Sequence, residues 1–210
     1  MLNRISIIAV ITIALLSLSS CSSWLGKVNI FPVEQDVTLG KQVSESFEQG
    51  NASIIMDSSK NTIVYRYIYG IRDSILKTNL LIHKNDFAWR IRIIQNDTIQ
   101  NAFCTPGGYI YVYTGLMKYL ESEDQLAGVM GHEMAHAEKR HSTDAMTREF
   151  GANLLLELIF GQNKAQLLQS THPDPGHRVE NMKKRWSDKG SKQGQTFTDR
   201  YKRMLNYLPK

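Results

Sequence analysis

Between residues 132 and 136 the chain reads His-Glu-Met-Ala-His, and the spacing asks for an α-helix. Positions i and i+4 of a helix differ by about 40° around the axis and about 6 Å along it, so both imidazoles lie on one face and can reach one metal ion. Zinc takes such neutral nitrogens at about 2.0–2.1 Å. Glu133 lies about 100° further round, close to where a water on that ion would sit. Zinc lowers the pKa of such a water towards about 7, and the carboxylate can take its proton as the oxygen attacks a peptide carbonyl. Ala127, Gly128, Gly131, Ala135 and Ala137 let neighbours approach closely, while Leu126, Val129 and Met130 supply an apolar face. The plainer alternative is a pair of ordinary histidines on a core or surface helix.

The rest of the chain supplies a frame for that helix. Asp36 can cap a helix on which Leu39, Val43 and Phe47 share a face, with Gly50-Asn51 ending it. Val64, Tyr67, Ile68, Ile71 and Ile75 form a second apolar stripe within residues 60–80. Trp89, Ile91 and Ile93 alternate with Arg90 and Arg92, the period of a half-exposed strand. Residues 98–105 read as a second strand, Pro106-Gly107-Gly108 as a tight turn and residues 109–113 as a third strand. Ser122 with Gln125 resembles a capping box that opens the motif helix, which runs to about His141. A Leu-rich helix is expected over residues 143–160. Helices, a small sheet and more helices make an α+β domain.

Length and composition narrow the remaining classes. With 210 residues, 42% apolar and 21% charged, the chain suits one domain with a real core and is not wholesale disordered. Only one long apolar run exists, at the N-terminus, which excludes a multi-pass membrane protein. The net charge of +5 is uneven: residues 183–210 carry nine Lys/Arg against two Asp/Glu. That basicity belongs to a solvated tail, so no nucleic-acid partner is expected. Residues 5–18 would span roughly 21 Å as a helix, short of a hydrocarbon core of about 30 Å. A charged start, a short apolar run and small residues describe a secretory signal peptide. Leu18-Ser19-Ser20-Cys21 looks like a bacterial lipobox, which implies lipid on Cys21 after cleavage. The expected organisation is a signal peptide over 1–20, a lipid-anchored tether over 21–35, a domain over 36–186 and a basic tail over 187–210.

Three blocks carry a family resemblance. Residues 131–141, GHEMAHAEKRH, closely resemble the signature of the HtpX-like zinc metallopeptidases, relatives of the CAAX prenyl endopeptidases and the Oma-type proteases. Residues 101–114, NAFCTPGGYIYVYT, resemble the segment preceding the zinc helix in that family, and Thr171-His172-Pro173 with Arg178 resembles its C-terminal motif. The resemblance covers roughly residues 36–186. It implies a zincin-like, gluzincin-type domain, mostly helical, whose edge strand precedes the H-E-x-x-H helix. It also implies one zinc ion on His132 and His136, with Glu133 as general base. Asn101, Ala102 and Phe103 would pair with an extended substrate, His172 would stabilise the oxyanion, and Arg178 would orient groups near the metal. Unfolded or misfolded envelope proteins would be the substrates. The location would be the bacterial envelope, at the outer membrane facing the periplasm in a Gram-negative source. His141 has no role matched to the resemblance and reads as structural, at the helix C-terminus.

The sequence departs from that pattern at one point. The resemblance implies a third ligand, a Glu on a later helix, between the motif helix and Thr171. Only 35 residues separate His136 from His172, and no such motif stands there, least of all between 160 and 171. Glu157, Glu149 and Glu180 are the candidates for a substitute. A substitute ligand, a degenerate site and a lost internal segment all remain open at this level. The rival reading is therefore a protease-like lipoprotein that holds clients without cleaving them.

Overall fold

The structure, a computed structural model, describes residues 29, 31–149 and 195–209. The first helix, α1 (Val33–Gly50), buries Leu39, Val43 and Phe47 as their spacing requires, and it ends at Asn51. Its N-cap is Pro32, whose carbonyl accepts the N–H of Gln35 at 3.0 Å. Asp36 is therefore not the cap. It lies inside the first turn and is buried, because an arginine from the far end of the domain draws it inward. Helix α2 (Thr62–Leu76) buries Val64, Tyr65, Ile68 and Ile71, with Tyr67 and Ile75 half-buried at its margin.

Strand β1 (Arg90–Ile94) leads to β2 (Ala102–Thr105), a 3-10 turn (Pro106–Gly108) and β3 (Tyr109–Tyr113). The second strand begins at Ala102 rather than at 98, since the Asn96 side chain bonds the N–H of Thr98 and folds that stretch into a local turn. The sheet order is β1-β3-β2, with β1 parallel and β2 antiparallel to β3. Central β3, Tyr-Ile-Tyr-Val-Tyr, is buried along its whole length. Period-2 alternation divides it cleanly. Ile110 and Val112 join Ile91, Ile93, Ala102 and Cys104 in a core shared with α2. Tyr109, Tyr111 and Tyr113 join Phe47, Ile94 and Phe103 on the opposite face. There Phe103 stacks on Tyr111 with centroids 4.8 Å apart, and Phe47 meets Tyr111 edge-on at the same separation.

A short helix α3 (Thr114–Tyr119) precedes α4 (Glu123–Glu138), which carries the H-E-x-x-H run. Ser122 is the N-cap of α4, but its side chain makes no capping bond; the Gln125 amide instead accepts the N–H of Glu121 at 2.9 Å. The expected reciprocal capping box is thus not formed. Helix α5 (His141–Glu149) follows after a two-residue corner. Helix α6 (Thr198–Leu205) comes from the basic C-terminal stretch yet is not wholly solvated. Tyr201, Met204 and Leu208 enter the main core, and the Tyr201 hydroxyl donates to the Met117 carbonyl at 2.6 Å. Its charges behave differently: Arg200 pairs with Glu123 at the surface of the same contact. A period-3.6 stripe among basic residues was the sequence signal for this docking.

The α1 layer and the sheet meet at the 3-10 turn through glycines. A Cβ on Gly40 would stand 1.9 Å from the Pro106 carbonyl oxygen, and Gly107 holds φ +69 against the backbone of Asp36. Backbone blocks both approaches, so no rotamer change relieves them. Gly40→Ala is expected to destabilise the protein by about 3 kcal/mol or more through overpacking. Gly70→Ala, at an exposed site in α2 with nothing within 4 Å of the new carbon, should stabilise it by roughly 0.5–1 kcal/mol. Urea unfolding of the two variants checks both signs.

Candidate metal centre

Helix α4 is held to the sheet by Leu126, Val129, Met130, Met134 and Ala137, all buried in the main core. This seat packs the helix against β2 and leaves His132 and His136 half-buried on a flank. Their Nε2 atoms face one another at 3.0 Å, and their rings meet at 62°. Two nitrogens on one zinc at about 2.0–2.1 Å stand about 3.3 Å apart at a tetrahedral angle, so the pair needs little adjustment to hold the ion. Glu133 is 0% exposed, within the same helical turn. The chemistry and spacing of these side chains fit zinc.

The end of α4 is built with unusual care. Lys139 caps the helix and Arg140 takes a left-handed conformation, φ 56, without being glycine. Such a residue is strained by about 1–2 kcal/mol unless its surroundings hold it. Here they do. Arg140 Nε donates to Asp36 Oδ2 at 2.6 Å, and the guanidinium also reaches the carbonyls of Phe31 and Pro32. Thr143 donates to the other Asp36 oxygen at 2.9 Å, and Asn29 donates to Thr143 at 2.8 Å. Just before the corner, the Glu138 carboxylate accepts the N–H groups of Ile82 at 2.8 Å and His83 at 3.1 Å, tying down the loop after α2. His83 itself contacts Asp86 at 3.1 Å and stacks on Phe87, in keeping with a loop role.

His141 opens α5 and does not close α4. Its Nδ1 lies 3.0 Å from Nδ1 of His136, with the rings nearly perpendicular at 82°. The sequence reading missed this contact, because residues five apart do not meet on a continuous helix. They meet here because the chain turns at Arg140. The one sequence hint was a third histidine so soon after the motif.

The other expected site residues divide into two groups. Ala102 and Phe103 lie on β2, which ends the sheet order among the described residues and packs beside α4. Asn101 stands just before it: its carbonyl accepts the N–H of Tyr113 at 3.0 Å and its Oδ1 accepts the N–H of Ala102 at 2.8 Å. The Phe103 ring belongs to the aromatic core under α1 and does not face α4. Cys21, His172, Arg178, Glu157, Glu180 and the Glu149 side chain lie outside the described residues. Among the described residues no three His, Cys, Asp or Glu side chains gather around one metal position. Nor is any helix among them long and apolar enough to cross a membrane.

A mostly helical domain with a three-stranded sheet and a histidine pair on its motif helix is a zincin-like α+β arrangement. Comparison with known proteins points the same way: residues 71–167 match peptidase family M48, and a relationship to the M48 metallopeptidases is supported over that span. The chain is 35% identical over 78 residues to the mitochondrial metalloendopeptidase OMA1 of Arabidopsis thaliana, covering 37% of this chain and 16% of that protein. It is 41% identical over 66 residues to the OMA1 of Schizosaccharomyces pombe, covering 30% and 19%. It is 34% identical over 100 residues to the beta-barrel assembly-enhancing protease of Escherichia coli K12, covering 47% and 18%. The matched segments span less than a fifth of each of these relatives.

The Asp36 clasp has a pH signature. Burial outweighs Arg140 and Thr143, and the carboxyl is raised above its ordinary 3.8. The folded state therefore holds the proton more tightly than the unfolded chain does. The stability this contributes is complete below about pH 3.8 and is lost as pH rises through the raised value. The unfolding free energy of the native chain should fall relative to that of Asp36→Asn as pH rises above about 3.8 and through the raised value. Paired urea titrations test this, and a constant gap would contradict it.

Proposed function

We propose that the chain captures extended, unfolded polypeptide along β2, beside a zinc ion held by His132 and His136. The observation that carries this is the seating of the H-E-x-x-H helix against β2, with the two Nε2 atoms 3.0 Å apart. Main-chain pairing with a strand recognises backbone rather than one side chain, which suits unfolded clients of varied sequence. Zinc supplies a Lewis acid there, able to activate water and polarise a carbonyl. Glu133 would accept a proton on its carboxylate from the attacking water and return it to the leaving amine. The roles of His172 at the oxyanion and Arg178 in orientation rest on the resemblance around Thr171-His172-Pro173. The lipobox at Cys21 supports anchorage to a bacterial envelope membrane, where turnover of misassembled proteins would be the task.

Two readings share this cleft. One is a zinc metalloendopeptidase, as the relationship to M48 peptidases supports. The other is a client-binding module that has lost turnover. It needs no third ligand, and no three-residue ligand group stands among the described residues.

Binding and cleavage of unfolded casein tell them apart. Purified protein is expected to carry one zinc per chain, lost in His136→Ala, and to bind casein in both wild-type and Glu133→Gln forms. Chelator-sensitive cleavage that falls by about 10²–10⁴-fold in Glu133→Gln identifies the peptidase. Binding without cleavage identifies the client module. Failure to bind either zinc or casein would overturn the proposal.

A further inference from the structure

His136 uses two nitrogens in two directions. Nε2 faces His132, and Nδ1 faces Nδ1 of His141 at 3.0 Å. A neutral imidazole carries one proton, so a hydrogen bond at one nitrogen decides what the other can do. If His136 donates from Nδ1, its Nε2 presents a lone pair to a metal. If His141 donates instead, the His136 proton moves to Nε2 and closes that position.

We propose that His141 is a positioning residue: its Nδ1 accepts the Nδ1–H of His136 and thereby holds His136 Nε2 bare and aimed at the point it shares with His132. The inference rests on the zinc reading for its consequence, but the tautomer is a property of the chain alone. Metal-binding histidines generally give their second N–H to an acceptor that fixes ring and tautomer, and carboxylates or backbone carbonyls usually fill that place. Here an imidazole fills it. Both Nε2 atoms must be bare to take one ion, so the single proton of a neutral His136 belongs on Nδ1, where His141 Nδ1 stands 3.0 Å away.

The corner explains how His141 gets there. Without the reversal at Arg140, residue 141 would continue α4 and point about 140° away from residue 136. The left-handed Arg140 brings it back, and Asp36 grips both Arg140 and Thr143, on either side of His141. The buried acid of the first helix thus sets the place of a ring that in turn sets the tautomer of a ligand. The sequence separation of 104 residues between Asp36 and Arg140 makes this a tertiary device.

Long-range ¹H–¹⁵N spectra of the metal-free full chain, recorded at alkaline pH with all rings neutral, read the tautomer directly. The expected spectrum shows His136 protonated at Nδ1 in the wild type and a mixture of tautomers in His141→Phe. Chelator competition with cobalt or zinc should show metal affinity about 10–100-fold weaker in His141→Phe. In His141→Gln, whose amide oxygen can accept the same proton, both the tautomer and most of the affinity should return. That rescue separates positioning from mere packing, which the phenylalanine would preserve. A wild-type His136 protonated at Nε2, or a His141→Phe chain with unchanged tautomer, overturns the proposal. A wild type that binds no metal yet keeps the Nδ1 tautomer sinks the zinc reading alone.

Discussion

Everything at the site depends on how the buried face of α4 is packed. Leu126, Met130, Met134 and Ala137 recur at helical spacing and are sunk into a core supplied by β1, β3 and α2. A helix seated by that stripe has no freedom to rotate, and the flank that carries His132 and His136 is fixed with it. The two Nε2 atoms face each other because Met134 and Ala137 are buried. Burial of a side chain the size of leucine or methionine contributes roughly 1.5–3 kcal/mol, so four or five such residues easily hold the histidines in place.

Central β3 performs the matching task for the sheet. Its alternation of tyrosine with isoleucine and valine gives each face a different partner, aromatic towards α1 and aliphatic towards α2 and α4. A slip of one residue would exchange the faces, which fixes the register of β2 and with it the level of Ala102 beside the motif helix. On the aromatic side the Tyr111 hydroxyl reaches polar partners in place: it bonds Ser44 at 2.8 Å, and Glu48 joins it to Arg90 and Arg92. The polar edge of that layer is thus satisfied within the fold.

Legibility in the sequence followed the range of the interaction. Periodicity located α1, α2, β1, β3 and α4 within a few residues, since each depends on local alternation or a 3.6-residue stripe. Capping fared less well. Asp36 and the Ser122-Gln125 pair had the composition of caps but not their geometry, because Arg140 took Asp36 as a partner and the Gln125 amide turned back to Glu121. The docking of α6 was concealed by its charge: Lys202 and Arg203 advertise solvent, while Tyr201 and Met204 enter the core.

The sequence by itself determined that two imidazoles share a helical face with a carboxylate between them, because a 3.6-residue period admits no other arrangement of H-E-x-x-H. It also determined that a sheet precedes this helix and that α+β architecture results. Only the tertiary structure decided which nitrogens of His136 are engaged. That choice rests on the Arg140 corner, on Asp36 more than a hundred residues away, and on His141 beyond the end of the helix. No local pattern encodes such a contact, since bringing those groups together requires the chain to reverse and a buried acid to hold the reversal.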